Sequence, residues 1–413
     1  MFDFLATVGP EIPFTLILLA LLGFRHAIRP RASLRIAAPA DKVFAIIDVH
    51  DGKTDDWGST IVRADLVDPV NQVFRKSYIT TLSTGTQRVS QAFFRLAERV
   101  AGNRVVLLRE GLAGKSVNSE LLEQRYEVTP EGDTASRLTV EYVWGPRPLL
   151  AQITARADIW GGIYRLKGVA ETGVPNEKPY RWISAGVAVA TGIVSLAAFG
   201  FLLGWIAAAV LVFALFVHEF GHLFAYKLMG QPWGRMVFLP FLGAIALPRL
   251  PFESQGQAVF AALMGPGLST LLAMACVAPA TFGLEPNPYV AIVGVITVGL
   301  NIFNLLPVEP LDGGVALRSV LSRIMGSHAR FGLIMVGVAI MVTGVMMEQV
   351  VLLIFGGIAV LANIKARAID AGLTPLSRLQ IVITGFAYVA MTSAYVTLFK
   401  YFYAYVHLLQ TAA

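Results

Sequence analysis

The chain has 413 residues, 55% of them hydrophobic and 15% charged, with a mean hydropathy of +0.64. Globular domains carry about 25% charged residues, so this composition excludes a disordered chain and an all-soluble globule, and it requires several membrane spans. The net charge of +6 needs no nucleic acid, because basic residues of a membrane protein collect in cytoplasmic loops, and the single cysteine, Cys276, excludes both an internal disulfide and a cysteine-based zinc site.

In chain order, the first apolar stretch is Ile12–Phe24, followed at once by Arg25, His26, Arg29 and Arg31. These charges lie on the wrong side for a cleaved signal peptide, so residues 1–30 are read as a membrane anchor with its N-terminus outside. Residues 31–172 form a charged, soluble-looking part. Leu34–Ala37 is extended, and Pro39–Ile47 has helical apolar spacing with Pro39 and Asp41 in its first turn. Strand-like stretches follow at Ser59–Leu66, Val73–Thr80, Val105–Arg109, Leu121–Val128 and Leu138–Val143, the last two flanking a Pro130-Glu131-Gly132-Asp133 turn signal. Pro148–Ala170 carries apolar Leu149, Ile153, Ala157, Ile159, Ile163 and Leu166 near helical spacing and is predicted to be one long helix. A sheet closed by such a helix is an α+β arrangement.

Residues 173–181 are a polar, Pro-containing linker. Of the 27 carboxylates only seven lie from Trp182 onward, and 23 of the 33 basic residues precede it. Residues 182–370 and a C-terminal helix within 371–413 are therefore the membrane part. Its apolar runs are Ile183–Leu203, Ile206–Met229, Gln257–Phe282, Tyr289–Leu306, Phe331–Met347, Gln349–Ile364 and Leu379–Phe399, each approaching the length that spans hydrocarbon. Alternating them from a cytoplasmic front domain puts nine of the ten basic residues of this part inside, with only Lys400 outside and Glu285 and Glu348 in outside turns.

The chemistry is most visible at His218-Glu219-Phe220-Gly221-His222. Two histidines at i and i+4 project from one helix face, close enough to share a zinc ion, and Glu219 is placed to take a proton from water. Polar residues that merely tie membrane helices together account for one histidine, but poorly for three ionisable groups in five residues. A catalytic zinc site usually takes three protein ligands, and the other donors are few. Cys276 is near the far end of its run and His328 lies beyond another, which leaves Glu253, Glu309 and Asp312. Asp312 follows a helix that ends at Pro307, in Asn304-Leu305-Leu306-Pro307-Val308-Glu309-Pro310-Leu311-Asp312-Gly313-Gly314; a plain helix connection with an aspartate N-cap is the structural alternative. Asn304, on the last turn of the preceding helix, is suited to hydrogen-bond a substrate carbonyl or oxyanion.

HEFGH together with NLLPVEPLDGG resembles the site-2 protease family of intramembrane zinc metalloproteases, over about Trp182–Ile364. The resemblance implies His218, His222 and Asp312 as Zn2+ ligands, Glu219 as general base and Asn304 as a catalytic asparagine. Arg235–Pro248 is similar to the family's membrane-dipping hairpin and Gly265-Pro266 to its GP element, so Gly243, Gly265 and Pro266 are the implied substrate-binding positions. Leu242 and Ser269 depart from the family pattern, which bears on substrate preference. The order of elements over Leu34–Ala170, with PADKVF after a strand and Trp57-Gly58, is similar to the START-like (SRPBCC, helix-grip) superfamily, whose members enclose apolar cavities; neither a PDZ nor a CBS module is found.

The expected architecture is a multi-pass α-helical membrane protein with a site-2 protease core and a soluble α+β helix-grip domain. The expected function is zinc-dependent hydrolysis of peptide bonds in or near transmembrane segments of other proteins, regulated by the front domain, either through a lipid or other apolar ligand in its cavity or as a packed domain that only gates access or binds a partner. A zinc-dependent hydrolase of a lipid amide or ester and a non-catalytic lipid-binding scaffold are the alternatives; the intact Glu219 speaks against the last. The expected location is a bacterial inner membrane, and the distribution of basic residues puts the front domain and the active-site mouth on the cytoplasmic side.

Overall fold

The computed structural model describes residues 25–56, 60–82, 84–110, 121–282, 287–348, 350–365 and 373–412. The expected anchor Ile12–Phe24, Trp57-Gly58 and Glu285 lie outside the described residues. The chain divides into two compact units, Met1–Ala190 and Thr191–Ala413.

The first unit is an α+β domain. Its strands are β1 (Arg25–Ile28), β2 (Arg31–Ile36), β3 (Lys53–Asp56), β4 (Thr60–Asp68), β5 (Val73–Thr81), β6 (Gln87–Val100), β7 (Arg104–Glu110), β8 (Leu121–Pro130) and β9 (Ser136–Pro148). They form one antiparallel sheet in the order β1-β9-β8-β7-β6-β5-β4-β3, with β2 also paired to β9. Two helices complete it, α1 (Ala40–Ile47) and α2 (Leu149–Thr172). α2 lies against β2 and β9, burying Ala155, Ile159, Ile163, Leu166 and Ala170 at spacings of four, four, three and four, which is one helical stripe. The inward residues of the strands, among them Phe74, Phe94, Leu107, Val128 and Leu138, meet that stripe and Val43, Phe44 and Ile47 of α1 in a single core. Glu131–Asp133 form the expected hairpin turn, with the Glu131 N–H donating to Ala135 O and Gly132 at φ +85°.

Two features differ from the expectation. β1 pairs with β9, so residues from Arg25 onward belong to the sheet rather than to the segment before it. β6, at 14 residues the longest strand, was not anticipated, because only Ala92 and Phe94 on it are buried and its sequence shows little alternation.

The helices that follow are α3 (Lys178–Leu203), α4 (Trp205–Leu228), α5 (Gln255–Thr281), α6 (Pro288–Asn304), α7 (Asp312–Met325), α8 (Ala329–Met346), α9 (Val350–Lys365) and α10 (Arg378–Ala412), with a hairpin of β10 (Arg235–Leu239) and β11 (Gly243–Leu247) after α4. All seven expected spans are helical, and α7 is an additional helix. Among the described residues five helices are long and apolar enough to cross a membrane, those beginning at Lys178, Trp205, Gln255, Ala329 and Arg378, while Pro288–Asn304 is shorter. The protein is an integral membrane protein. α10 exposes Leu379, Val382, Ile383, Phe386 and Val389 along one face, a stripe that only lipid can solvate. Its opposite side is held by tyrosines: Tyr395 Oη donates to Pro266 O at 2.7 Å, and Tyr388 Oη to Leu305 O at 2.8 Å. α3 begins in the first unit and ends in the second, so the division at 190/191 falls within a helix rather than in the polar linker.

Candidate metal centre

α4 is apolar for its first three turns and then carries His218, Glu219 and His222, all buried. Spaced i, i+4, the two imidazoles stand on one face with their Nε2 atoms 3.2 Å apart. Each ring is fixed through its other nitrogen. His222 Nδ1 is 2.8 Å from Ala261 O on α5; a carbonyl only accepts, so Nδ1 carries the hydrogen and Nε2 the lone pair. His218 Nδ1 is 2.9 Å from Asn301 Oδ1 on α6. The Asn301 amide nitrogen is committed to Thr297 O at 2.7 Å, so its oxygen faces His218 and the same tautomer follows.

The chain after α6 turns through Leu305–Leu311 and starts α7 at Asp312. No side chain caps that helix, and Asp312 is its first residue, not its N-cap. The turn is tight because Gly313 and Gly314 admit backbone where a Cβ would meet Leu305 O and Val308 O. It delivers Asp312 Oδ2 to 3.1 Å from His218 Nε2 and 3.6 Å from His222 Nε2. That oxygen is buried without a hydrogen-bond partner. Three lone-pair atoms facing one another in a buried site repel unless a cation lies among them. A four-coordinate zinc with bonds of about 2.0–2.2 Å places its donors about 3.3–3.6 Å apart; the observed 3.6 Å lies in that range and the 3.1 and 3.2 Å lie just under it, so a small outward shift of the rings admits the ion. The Glu219 carboxylate lies within 4.8 Å of both imidazoles and takes a hydrogen bond from the Ala246 backbone N–H on β11.

These groups line a cavity of 380 Å³ together with Tyr226, Ala244–Ala246, Asn304, Glu309 and Arg318. Asn304 Nδ2 donates to Leu300 O at 3.1 Å. Glu309, one of the three carboxylates open as a third ligand, is paired with Arg318. Gly243 opens β11 at φ +112°, a conformation that favours glycine. Gly265 and Pro266 have a packing position: a Cβ on Gly265 would run into the His222 ring and reach 3.1 Å from His218 Cε1, while the Pro266 carbonyl accepts from Tyr395. Cys276 packs beside an apolar cluster that includes Val259, Ala273 and Val298. His328 closes the 3-10 turn after the far end of α7, roughly 20 Å of helix from Asp312 at 1.5 Å per residue. Asn301 was not singled out from the sequence, where it is one more polar residue about a turn before Asn304.

Fold and site together describe a membrane-embedded HExxH centre completed by an aspartate from a later helix start. Residues 279–344 match the model of peptidase family M50, a stretch that holds Asn301, Asn304 and Asp312 but not His218–His222. The chain is 30% identical over 125 residues to a zinc metalloprotease of Methanocaldococcus jannaschii, covering 29% of this chain and 36% of that one. It is 32% identical over 130 residues, 31% of this chain and 34% of the other, to a Synechocystis sp. protein provisionally named a zinc metalloprotease. The chain thus spans about a third of the length of these relatives. Among solved structures, the site-2 protease of M. jannaschii aligns at 19% identity and TM-score 0.29, covering 42% of this chain and 85% of that one. A START superfamily protein of Mycobacterium smegmatis aligns at 12% identity and TM-score 0.26, covering 34% and 96%. The peptidase family M50 match therefore falls within the membrane part of the chain, on the stretch that contributes Asn301, Asn304 and Asp312 to the site.

Proposed function

We propose that the chain is a zinc metalloendopeptidase that cleaves peptide bonds in or near the membrane spans of other proteins. The observation that carries this reading is the convergence of His218 Nε2, His222 Nε2 and the unpartnered Asp312 Oδ2 beside Glu219. These three atoms would hold the ion. Zinc supplies a Lewis acid that polarises a scissile carbonyl and makes water a nucleophile near neutral pH. Glu219 takes the proton from the attacking water and returns it to the departing amine as the C–N bond breaks, so the proton balance closes within the site. Asn304 has one amide hydrogen free of Leu300 O with which to bind the developing oxyanion.

An extended substrate is received by β11. Among the described residues this strand pairs only with β10, Ala244–Ala246 line the cavity, and the Ala246 carbonyl is taken by Tyr226 Oη, so a peptide laid along the other edge at Gly243–Ala244 adds a short strand there. Gly265 acts by letting α5 close on the imidazoles. Glu219→Gln, purified with its zinc, is the decisive variant: it is expected to lose turnover and to trap a peptide. Capture of a lipid instead would transfer the chemistry to a lipid amide or ester.

Basic residues of the membrane part support an orientation with the front domain and the active-site mouth cytoplasmic, in an inner membrane. The front domain is proposed to regulate cleavage, through a ligand that binds its active and inactive states unequally. Deleting 34–170 should leave zinc bound and alter cleavage rate or substrate choice; unchanged cleavage of all substrates would reduce the domain to a tether.

A further inference from the structure

The front domain holds a half-open cavity of 280 Å³ between the inner face of its sheet and the two helices, lined by apolar Ile46, Ile47, Val62 and Leu166. At about 30 Å³ per water-sized group, that is room for roughly ten non-hydrogen atoms. Its polar wall is unlike the rest. Phe74, Lys76 and Tyr78 are successive inward positions of β5, so Lys76 occupies a place that strand periodicity reserves for the core. Its cross-strand neighbours are Ala64 on β4 and Ala92 on β6, both buried, and two methyl groups leave open the volume above the ammonium.

Neighbouring charges are spent elsewhere. Lys53 Nζ donates to the carbonyls of Ala45, Ile46 and Asp48, at 3.1, 2.6 and 2.6 Å, and pairs with Asp55 at 3.4 Å. Asp48 is held by both nitrogens of a forked Arg99 contact, at 2.8 and 2.7 Å. Among the described residues Lys76 Nζ makes no hydrogen bond or ion pair; its contact is the Phe94 ring, whose centroid is 5.3 Å away. Burial, with Lys53 nearby and against the pull of Asp55, pushes the amine down to about 8, as expected of a cation short of counter-charge. On the β8 and β9 wall of the same cavity, Tyr126 Oη and Tyr142 Oη are 3.2 Å apart. One hydroxyl hydrogen serves that bond, so the other is left to donate to a ligand. Burial raises both phenols, which keeps them protonated donors.

We propose that this cavity binds a small monocarboxylate with an apolar body of about eight carbons, its head group on Lys76 Nζ and the tyrosine hydroxyls. A neutral apolar molecule would fill the same space but leave the ammonium buried and unpaired; a carboxylate supplies the missing charge and accepts from the phenols. The site is independent of the metal centre and of proteolysis.

The test is calorimetric titration of the full-length protein in phosphatidylcholine nanodiscs with octanoate, octan-1-ol and octylamine. Octanoate is expected to saturate one site per chain, at least tenfold more tightly than octanol, with no saturable site for octylamine. Lys76→Met should weaken octanoate at least tenfold and leave octanol unchanged or tighter. In the unaltered protein, saturating octanoate should slow acetylation of Lys76 by acetic anhydride at least fivefold, read by mass spectrometry, and octanol should not. Octanol binding as tightly as octanoate, octanoate binding unchanged in Lys76→Met, or unaltered acetylation of Lys76 would each overturn the proposal.

Discussion

Asn301 Oδ1 stands 2.9 Å from His218 Nδ1, joining α6 to α4 at the imidazole face turned away from the cavity. The asparagine is fully buried and its own amide is tied to Thr297 O, so the contact decides which nitrogen of His218 keeps a lone pair for metal. Outer partners of this kind typically carry 10–100-fold in metal affinity. Asn301→Ala is therefore expected to release zinc to a competing chelator about 10–100-fold more readily; unchanged affinity would show that helix packing alone orients the ring.

Asp312 and Glu219 should separate cleanly. Asp312→Ala removes the carboxylate whose Oδ2 has no other partner, and zinc content by atomic emission is expected to collapse. Glu219→Gln should keep zinc near the unaltered level and lose peptide cleavage. Equal zinc in Asp312→Ala would move the third ligand to another carboxylate, and Glu309, paired with Arg318, would have to break that pair to serve.

Gly265→Ala places a methyl against the His222 ring. Overpacking of this sort costs about 1–3 kcal/mol, and here the strain falls on ligand geometry. Helical content should persist by circular dichroism while zinc affinity drops. Retained zinc with full cleavage would mean that α5 can retreat without cost.

Lys76 ties stability to pH. Its folded value of about 8 lies below the unfolded 10.5, so the folded state binds fewer protons in that window and stability rises with pH. The penalty is complete below about 8 and gone above about 10.5; at 1.36 kcal/mol per unit it amounts to about 3 kcal/mol. Lys76→Met should thus stabilise the front domain at pH 7 by up to that amount, and the gain should shrink at pH 10, followed by hydrogen exchange of β5 amides. Lys53 and Asp55 couple electrostatically to Lys76, so the comparison is repeated in a Lys53→Met background to separate their titration from that of Lys76. A pH-independent gain would mean that the ammonium is solvated.

For orientation, single cysteines at Asp133 and Glu348, introduced after Cys276→Ser, should react with an impermeant maleimide from opposite sides of sealed cells. Asp133 lies in the β8–β9 turn and Glu348 follows α8. Labelling from one side would change the number of spans by one.

The pairing of the two histidines was legible because its determinants are local. His218 and His222 are related by one helical turn, and a turn has fixed geometry. Asp312 lies far along the chain, and its nomination among Glu253, Glu309 and Asp312 rested on resemblance rather than spacing. Asn301 was illegible for a physical reason: whether an asparagine on α6 faces α4 depends on helix rotation, which apolar runs such as Tyr289–Leu306 do not encode. β6 escaped because a strand that buries two side chains in 14 residues writes almost no period into its sequence. The cavity amine was hidden in Val73–Thr80, where a lysine at an inward position reads as an ordinary surface residue until β4 and β6 supply alanines on either side.

Gly221 sits between the two histidines and faces α5, and a Cβ there would meet Met264 O and the Gly265 Cα. Backbone touches backbone at this crossing, with no side chain between to absorb a change by shifting its rotamer. The His222 Nδ1 to Ala261 O bond depends on the same close approach. Any homologous chain with a larger residue at this position must therefore hold its fifth helix farther away, and its second histidine must find a different acceptor. Glycine at 221, glycine at 265 and a carbonyl for His222 can only be inherited, or lost, together.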